Sequence, residues 1–167
     1  DDYKGVELGI YFHKGHEYNL FRMIDGLKSS YDYNTENFGE YQHSQAFIVE
    51  FPKSEGTYAT TAANIIPTSE IRFLNDPENA GDNTIDISFY VAAHELSHQW
   101  WGNQVIPANV TGAHFITESV SEYITAKIYE KKYGKASAAK FLNIQLNRYL
   151  KGRTDETETE APLVYVT

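Results

Sequence analysis

Residues 94–101 read HELSHQWW, and the spacing of its two histidines constrains this chain more than any other feature. His94 and His98 stand four apart. For them to act together the segment has to be a helix, where side chains at i and i+4 leave one face about a turn apart. The flanking sequence agrees. Ile85, Phe89, Ala92, Leu96 and Trp100 recur at helical spacing over about Thr84 to Trp101, and the histidines lie opposite that apolar stripe. The pattern predicts a helix over 84–101 that packs on one side and offers two imidazoles on the other.

Two imidazole nitrogens in this register can share one tetrahedral Zn²⁺ at ~2.0–2.1 Å. Glu95 lies about 100° round the helix from His94 and about 60° from His98. It therefore stands beside such an ion, placed to take a proton from metal-activated water as general base, the division of labour this pattern carries elsewhere. Two histidines leave the ion short of a third protein ligand, with the fourth place open for water or substrate. The remaining histidines are His13, His16, His43 and His114; a carboxylate on a second helix is the other source. Glu118 opens the next predicted helix after a loop long enough to turn the chain back, and is the chosen third ligand. Glu122 follows four residues on. It either orients a ligand imidazole from behind or closes a capping box with Ser119.

The rest of the 167 residues reads as one globular domain, 1–167, with 41% hydrophobic and 14% aromatic residues. A net charge of −9 with no basic stripe excludes nucleic acid as a partner. No cysteine is present, which excludes disulfides and thiolate ligands. No apolar run approaches the roughly 20 residues that cross a bilayer. The chain begins at Asp1 and is read as a piece of something longer.

Strands are predicted at VELGIYF (6–12), SQAFIVEF (44–51) and EIRFL (70–74), and a helix between the first two with Leu20, Ile24 and Leu27 on one face. Residues 53–69 read as a long loop and NDPENAGDN as a turn cluster. Two more helices are expected, about Thr117 to Tyr133 with Gly134 as its stop, and about Ala136 to Lys151 with Ala138, Leu142, Leu146 and Leu150 as its apolar stripe. The acidic 153–167 reads as a mobile tail. Strands first and helices last favour an α+β fold, with a small N-terminal β portion and a mainly helical C-terminal portion.

HELSHQWWGNQVI followed by TESVSEYITAKIYEKKYG resembles the catalytic domain of the aminopeptidase N family, zinc-dependent gluzincins with a thermolysin-like fold. It is most similar to bacterial members fused to membrane-spanning, ABC-permease-like segments. The resemblance implies His94, His98 and Glu118 as zinc ligands, Glu95 as general base, and peptide substrates cut at their N-terminal residue. It also implies a parent protein held at a membrane by segments outside this chain. Three departures follow. Nineteen residues, Gln99 to Thr117, separate the second His from Glu118, one more than the family usually has; the loop before the helix is expected to absorb it. The upstream segment that holds the substrate's free amine in the family reads PTSEI here and keeps only Glu70, expected to bind that amine. The family's oxyanion-binding Tyr is expected beyond Thr167, and Tyr165 is not assigned that role. The altered segment leaves a second reading open, an impaired zinc-containing domain that binds or senses peptides for a transporter.

Overall fold

The computed structural model describes residues 2–76 and 85–155. β1 (Asp2–Tyr3) turns through Lys4 and Gly5, both at positive φ, into β2 (Val6–Tyr11). A two-residue turn of that hand follows the natural twist of paired strands. α1 (Leu20–Phe38) crosses over to β3 (Gln45–Phe51), and β4 (Ile65–Ser69) completes a sheet in the order β1-β2-β3-β4. β1 is antiparallel to β2, while β2, β3 and β4 run parallel, with Leu8 beside Ala46 and Ile48 beside Ile66. All four of these side chains are buried, so one sheet face is committed to the core.

The helical part begins with the single turn α2 (Ile71–Leu74) and the central helix α3 (Ile87–Ser97). Asp86 caps α3 by accepting the Phe89 N–H at 3.0 Å. A π-helical turn, Phe115–Ser119, leads into α4 (Val120–Asp155), which breaks at Gly134 (φ 81°, ψ 171°) into two arms.

α3 is buried on nearly every side because helices flank it. Against α1 the approach is very close: a Cβ on Gly26 would lie 2.5 Å from the Phe89 carbonyl oxygen. Further along the same contact, Ser30 Oγ donates to the Ala93 carbonyl at 2.8 Å, and Asn34 Nδ2 donates to Ser97 Oγ at 3.1 Å. Leu8, Leu27, Ile48, Ile66 and Leu96 form a core between sheet, α1 and α3. Phe89, Ile124, Ile128, Tyr129 and Phe141 form a second one between α3 and the two arms of α4. A small N-terminal sheet and a mainly helical remainder make the α+β architecture expected from the pattern.

Several expectations change. The 53–69 loop contains a 3₁₀ turn, Lys53–Glu55, and its last five residues are β4. EIRFL is no strand: Glu70 ends β4's pairing and Ile71–Leu74 coil into α2, burying Phe73. The central helix starts at Ile87, and Thr84 lies outside the described residues, as does most of NDPENAGDN. The helix expected from about Thr117 is entered two residues earlier, by the π turn Phe115–Ser119 that contains Glu118. The last predicted helix extends to Asp155, with the remainder of the predicted tail outside the described residues. Its stripe does not form a core: Ala138 is buried, but Leu142, Leu146 and Leu150 are 56%, 51% and 50% exposed.

Candidate metal centre

His94 sits in the last turns of α3, and His98 is the residue that caps it, still in the right-handed helical conformation at φ −61° and ψ −18°. The helical register thus runs through both. Their Nε2 atoms are 3.1 Å apart, and Glu118 Oε2 lies 3.6 Å from each. Three ligands on one tetrahedral ion at ~2.0–2.2 Å stand roughly 3.3–3.6 Å from one another. The side chains present therefore fit a zinc ion in spacing and in donor chemistry.

The tautomers point the same way. His98 Nδ1 is 3.2 Å from the Trp101 carbonyl oxygen and 3.2 Å from Ser121 Oγ. A carbonyl only accepts, so Nδ1 carries the hydrogen and Nε2 presents a lone pair inward. His94 Nδ1 faces Glu122 Oε2 at 3.1 Å, close enough for an ion pair though not aligned as a full hydrogen bond. Two nitrogen lone pairs and a carboxylate then converge with no donor among them, an arrangement that needs a cation. Without metal a proton takes that part. Burial works against charge on His94, but Glu118 and Glu122 outweigh it and bring its pKa up to about 9. The hydrogen bond from His94 correspondingly holds Glu118 below the usual carboxylate range.

Glu95 is buried at the side of this group. Its carboxylate accepts the Thr61 hydroxyl at 2.6 Å, and the same hydroxyl is 2.9 Å from its backbone carbonyl. A cleft of about 300 Å³ opens here, lined by Thr60, Thr61, Glu95, His98, His114 and Glu118 among others. Glu118 is 57% exposed into it, so one side of the three-ligand group is open. The wall opposite α3 is the segment just before β4. Gln99 holds that segment in place, donating to the Ala62 carbonyl at 2.9 Å and accepting the Asn64 N–H at 3.1 Å.

The structure brings His94, His98, Glu118, Glu95 and Glu122 together. It does not bring Glu70 to them. Glu70 Oε1 accepts the Lys53 N–H at 3.0 Å, and its carboxylate gathers with His16 and Glu50, away from the residues that line the cleft. The turn into α2 carries its side chain to that edge. Glu122 makes no capping box; Tyr90 Oη donates to it at 2.8 Å, and Gln145 Nε2 donates to its other oxygen. Trp100 is buried, with Nε1 donating to the Gly39 carbonyl at 3.0 Å, as a packing residue would. Tyr165 lies outside the described residues.

Sequence reasoning missed Thr61, Gln99, Ser121, Tyr90 and Gln145. Tyr90, Gln99 and Ser121 left a signal, each standing four residues or fewer from a candidate ligand on a predicted helix; Thr61 and Gln145 arrive by tertiary folding.

In the turn Phe115–Ser119, which carries Glu118, the Val120 N–H reaches back five residues to the Phe115 carbonyl, and a π turn holds one residue more than an α turn.

Known proteins place the chain. It is 30% identical over 103 residues to glutamyl aminopeptidase of Bos taurus, an alignment covering 61% of this chain and 11% of that protein. The structure of a variant M1 zinc metallopeptidase from Deinococcus radiodurans superposes with a TM-score of 0.58 at 17% identity, over 92% of this chain and 29% of that one. The fold is therefore shared, and the chain spans a minor part of the length of either protein. The Peptidase family M1 domain profile matches residues 23–166, from the first turns of α1 through the whole of the metal-spaced cluster, and the chain belongs to peptidase family M1.

Proposed function

We propose that this chain is the metal-bearing part of a zinc-dependent peptidase, with His94, His98 and Glu118 as ligands and Glu95 as general base. The observation that carries this reading is the mutual spacing of His94 Nε2, His98 Nε2 and Glu118 Oε2, 3.1 to 3.6 Å, beside an open cleft. Zinc, when bound, would polarise a scissile carbonyl and lower the pKa of water. Glu95 accepts the attacking water's proton and returns it to the leaving amine. Thr61 holds the Glu95 carboxylate toward the cleft, and Glu122 holds His94 in the tautomer that leaves Nε2 free. The likeness to glutamyl aminopeptidase supports removal of N-terminal residues from peptides. Glu70, expected to bind the substrate amine, is not among the residues that line the cleft, and its Oε1 accepts the Lys53 N–H. The membrane attachment implied by the sequence resemblance would use segments outside this chain; no helix among the described residues is long and apolar enough to cross a membrane.

The test is Glu95→Gln in the full-length protein, assayed on a panel of aminoacyl fluorogenic substrates with zinc content measured in parallel. Zinc is expected to stay and turnover to fall by ~10²–10⁴-fold, the usual contribution of a general base. Undiminished turnover sinks the mechanism. A parent protein that holds zinc and cleaves neither free nor N-terminally blocked peptides would instead be a peptide-binding module.

A further inference from the structure

We propose that Gln145 and Tyr90 are positioning residues of the metal centre: together they fix Glu122 so that it faces His94 Nδ1. This rests on the reading of His94, His98 and Glu118 as zinc ligands.

Glu122 has two carboxylate oxygens and both are held. Tyr90 Oη donates to Oε2 at 2.8 Å, and Gln145 Nε2 donates to Oε1. With its plane fixed in this way, the carboxylate presents Oε2 to His94 Nδ1 at 3.1 Å. Among the described residues no other group hydrogen-bonds that nitrogen. Rotation of Glu122 would leave His94 free to turn or to change tautomer, and Nε2 would no longer meet His98 and Glu118. The groups that hold a ligand's partner typically govern metal affinity by ~10–100-fold.

The chemistry of the two donors suits this part. A phenol and an amide donate without carrying charge themselves; Arg148 lines the same cavity and its Nη1 donates to Gln145 Oε1 at 3.4 Å, which leaves the Gln145 amide nitrogen to face Glu122. Burial together with the nearby Glu122 raises the Tyr90 pKa, so its proton stays in place for donation.

Gln145 is also placed against the ordinary rule for a helix. Beyond Phe141 the second arm of α4 leaves Leu142, Leu146 and Leu150 exposed, yet turns Gln145 inward to line a cavity of about 330 Å³ with Tyr90, His94, Glu118 and Glu122. Apolar burial does not explain an arm that turns an amide in and leucines out. A hydrogen bond to the carboxylate that faces His94 Nδ1 does. The break at Gly134 is what folds this arm back within reach.

The experiment measures zinc affinity by chelator competition, together with the metal-free unfolding midpoint, in the full chain and in Gln145→Ala, Tyr90→Phe, Glu122→Gln and the two pairwise combinations with Glu122→Gln. Gln145→Ala and Tyr90→Phe are each expected to weaken zinc by ~10-fold, with the metal-free midpoint nearly unchanged. In the Glu122→Gln background neither is expected to weaken it further, because they act through that carboxylate. Parent-like zinc affinity in both single variants overturns the inference while leaving the zinc reading intact. So does full additivity with Glu122→Gln, which would mean a general structural effect. A parent chain whose zinc binding ignores His94→Ala overturns the zinc reading itself, and this inference with it.

Discussion

Thr61 Oγ1 lies 2.6 Å from Glu95 Oε2 and 2.9 Å from the Glu95 carbonyl oxygen, so one hydroxyl ties the segment before β4 to the helix turn that carries Glu95, the proposed general base. A hydrogen bond to a charged group is worth ~1.5–3 kcal/mol, and each 1.36 kcal/mol is tenfold in rate. Thr61→Val is therefore expected to lower kcat by roughly 10-fold with zinc content unchanged, and Thr61→Ser to restore most of it. Equal kcat in Thr61→Val and the parent would show that the contact is incidental.

Zinc binding should depend on pH through His94. In the metal-free chain its pKa stands at about 9, above the ordinary 6.5, so the ring is charged at neutrality and zinc has to displace that proton. Apparent zinc affinity is expected to climb by about tenfold per pH unit from 6.5 toward 9 and then level off. Stability runs the other way without metal. A raised pKa stabilises fully below 6.5 and that contribution is lost as pH rises through 9. Thermal unfolding in chelator should show a lower midpoint at pH 9.5 than at pH 6. A flat affinity profile across that range contradicts the assignment of His94 as a ligand.

Gly26→Ala tests the contact that seats the metal helix. The added methyl would meet the Phe89 carbonyl at 2.5 Å and Ala92 Cβ at 3.0 Å, both parts of α3 that cannot swing aside. The expected cost is ~1–3 kcal/mol of stability, as for overpacking in other cores, together with weaker zinc binding because α3 is displaced. Denaturant unfolding with and without zinc reads both. Unchanged stability would mean that α1 and α3 separate freely.

Gly134→Ala isolates a backbone effect. Nothing lies within 4 Å of the position a Cβ would take, but φ 81° with ψ 171° is a region that essentially only glycine occupies. A loss of ~1–3 kcal/mol is expected from strain alone. Because the break positions the arm that bears Gln145, zinc affinity should fall with it. A variant as stable as the parent would show that the two arms re-join as one continuous helix.

The parts of this protein that were legible in the sequence are those whose partners are close along the chain. The spacing of His94, Glu95 and His98 already contains the shared face of the two imidazoles and the adjoining place of Glu95. α1, β2 and β3 were legible for the same reason, each carrying its own period. Failures arose where a local pattern met a distant constraint. Ile65–Ser69 was hidden within a stretch rich in small and polar residues, and becomes a strand because β3 offers it an open parallel edge. EIRFL looks like a strand but lies past the end of that edge. The four-residue spacing of Leu142, Leu146 and Leu150 is helical as read, yet the period says nothing of what covers the face.

The same division separates the site. By itself the sequence determined a helix with two imidazoles and a neighbouring carboxylate on adjoining faces, because a helix of 3.6 residues per turn maps spacing onto direction. Only the tertiary structure decided which carboxylates join them. Glu118 arrives on a π turn, Glu122 is fixed by groups on two other helical segments, and Glu70 gathers with His16 and Glu50. Linear distance along a loop fixes how far a side chain can reach but not its direction, and direction is set by packing against residues that lie far away in the sequence.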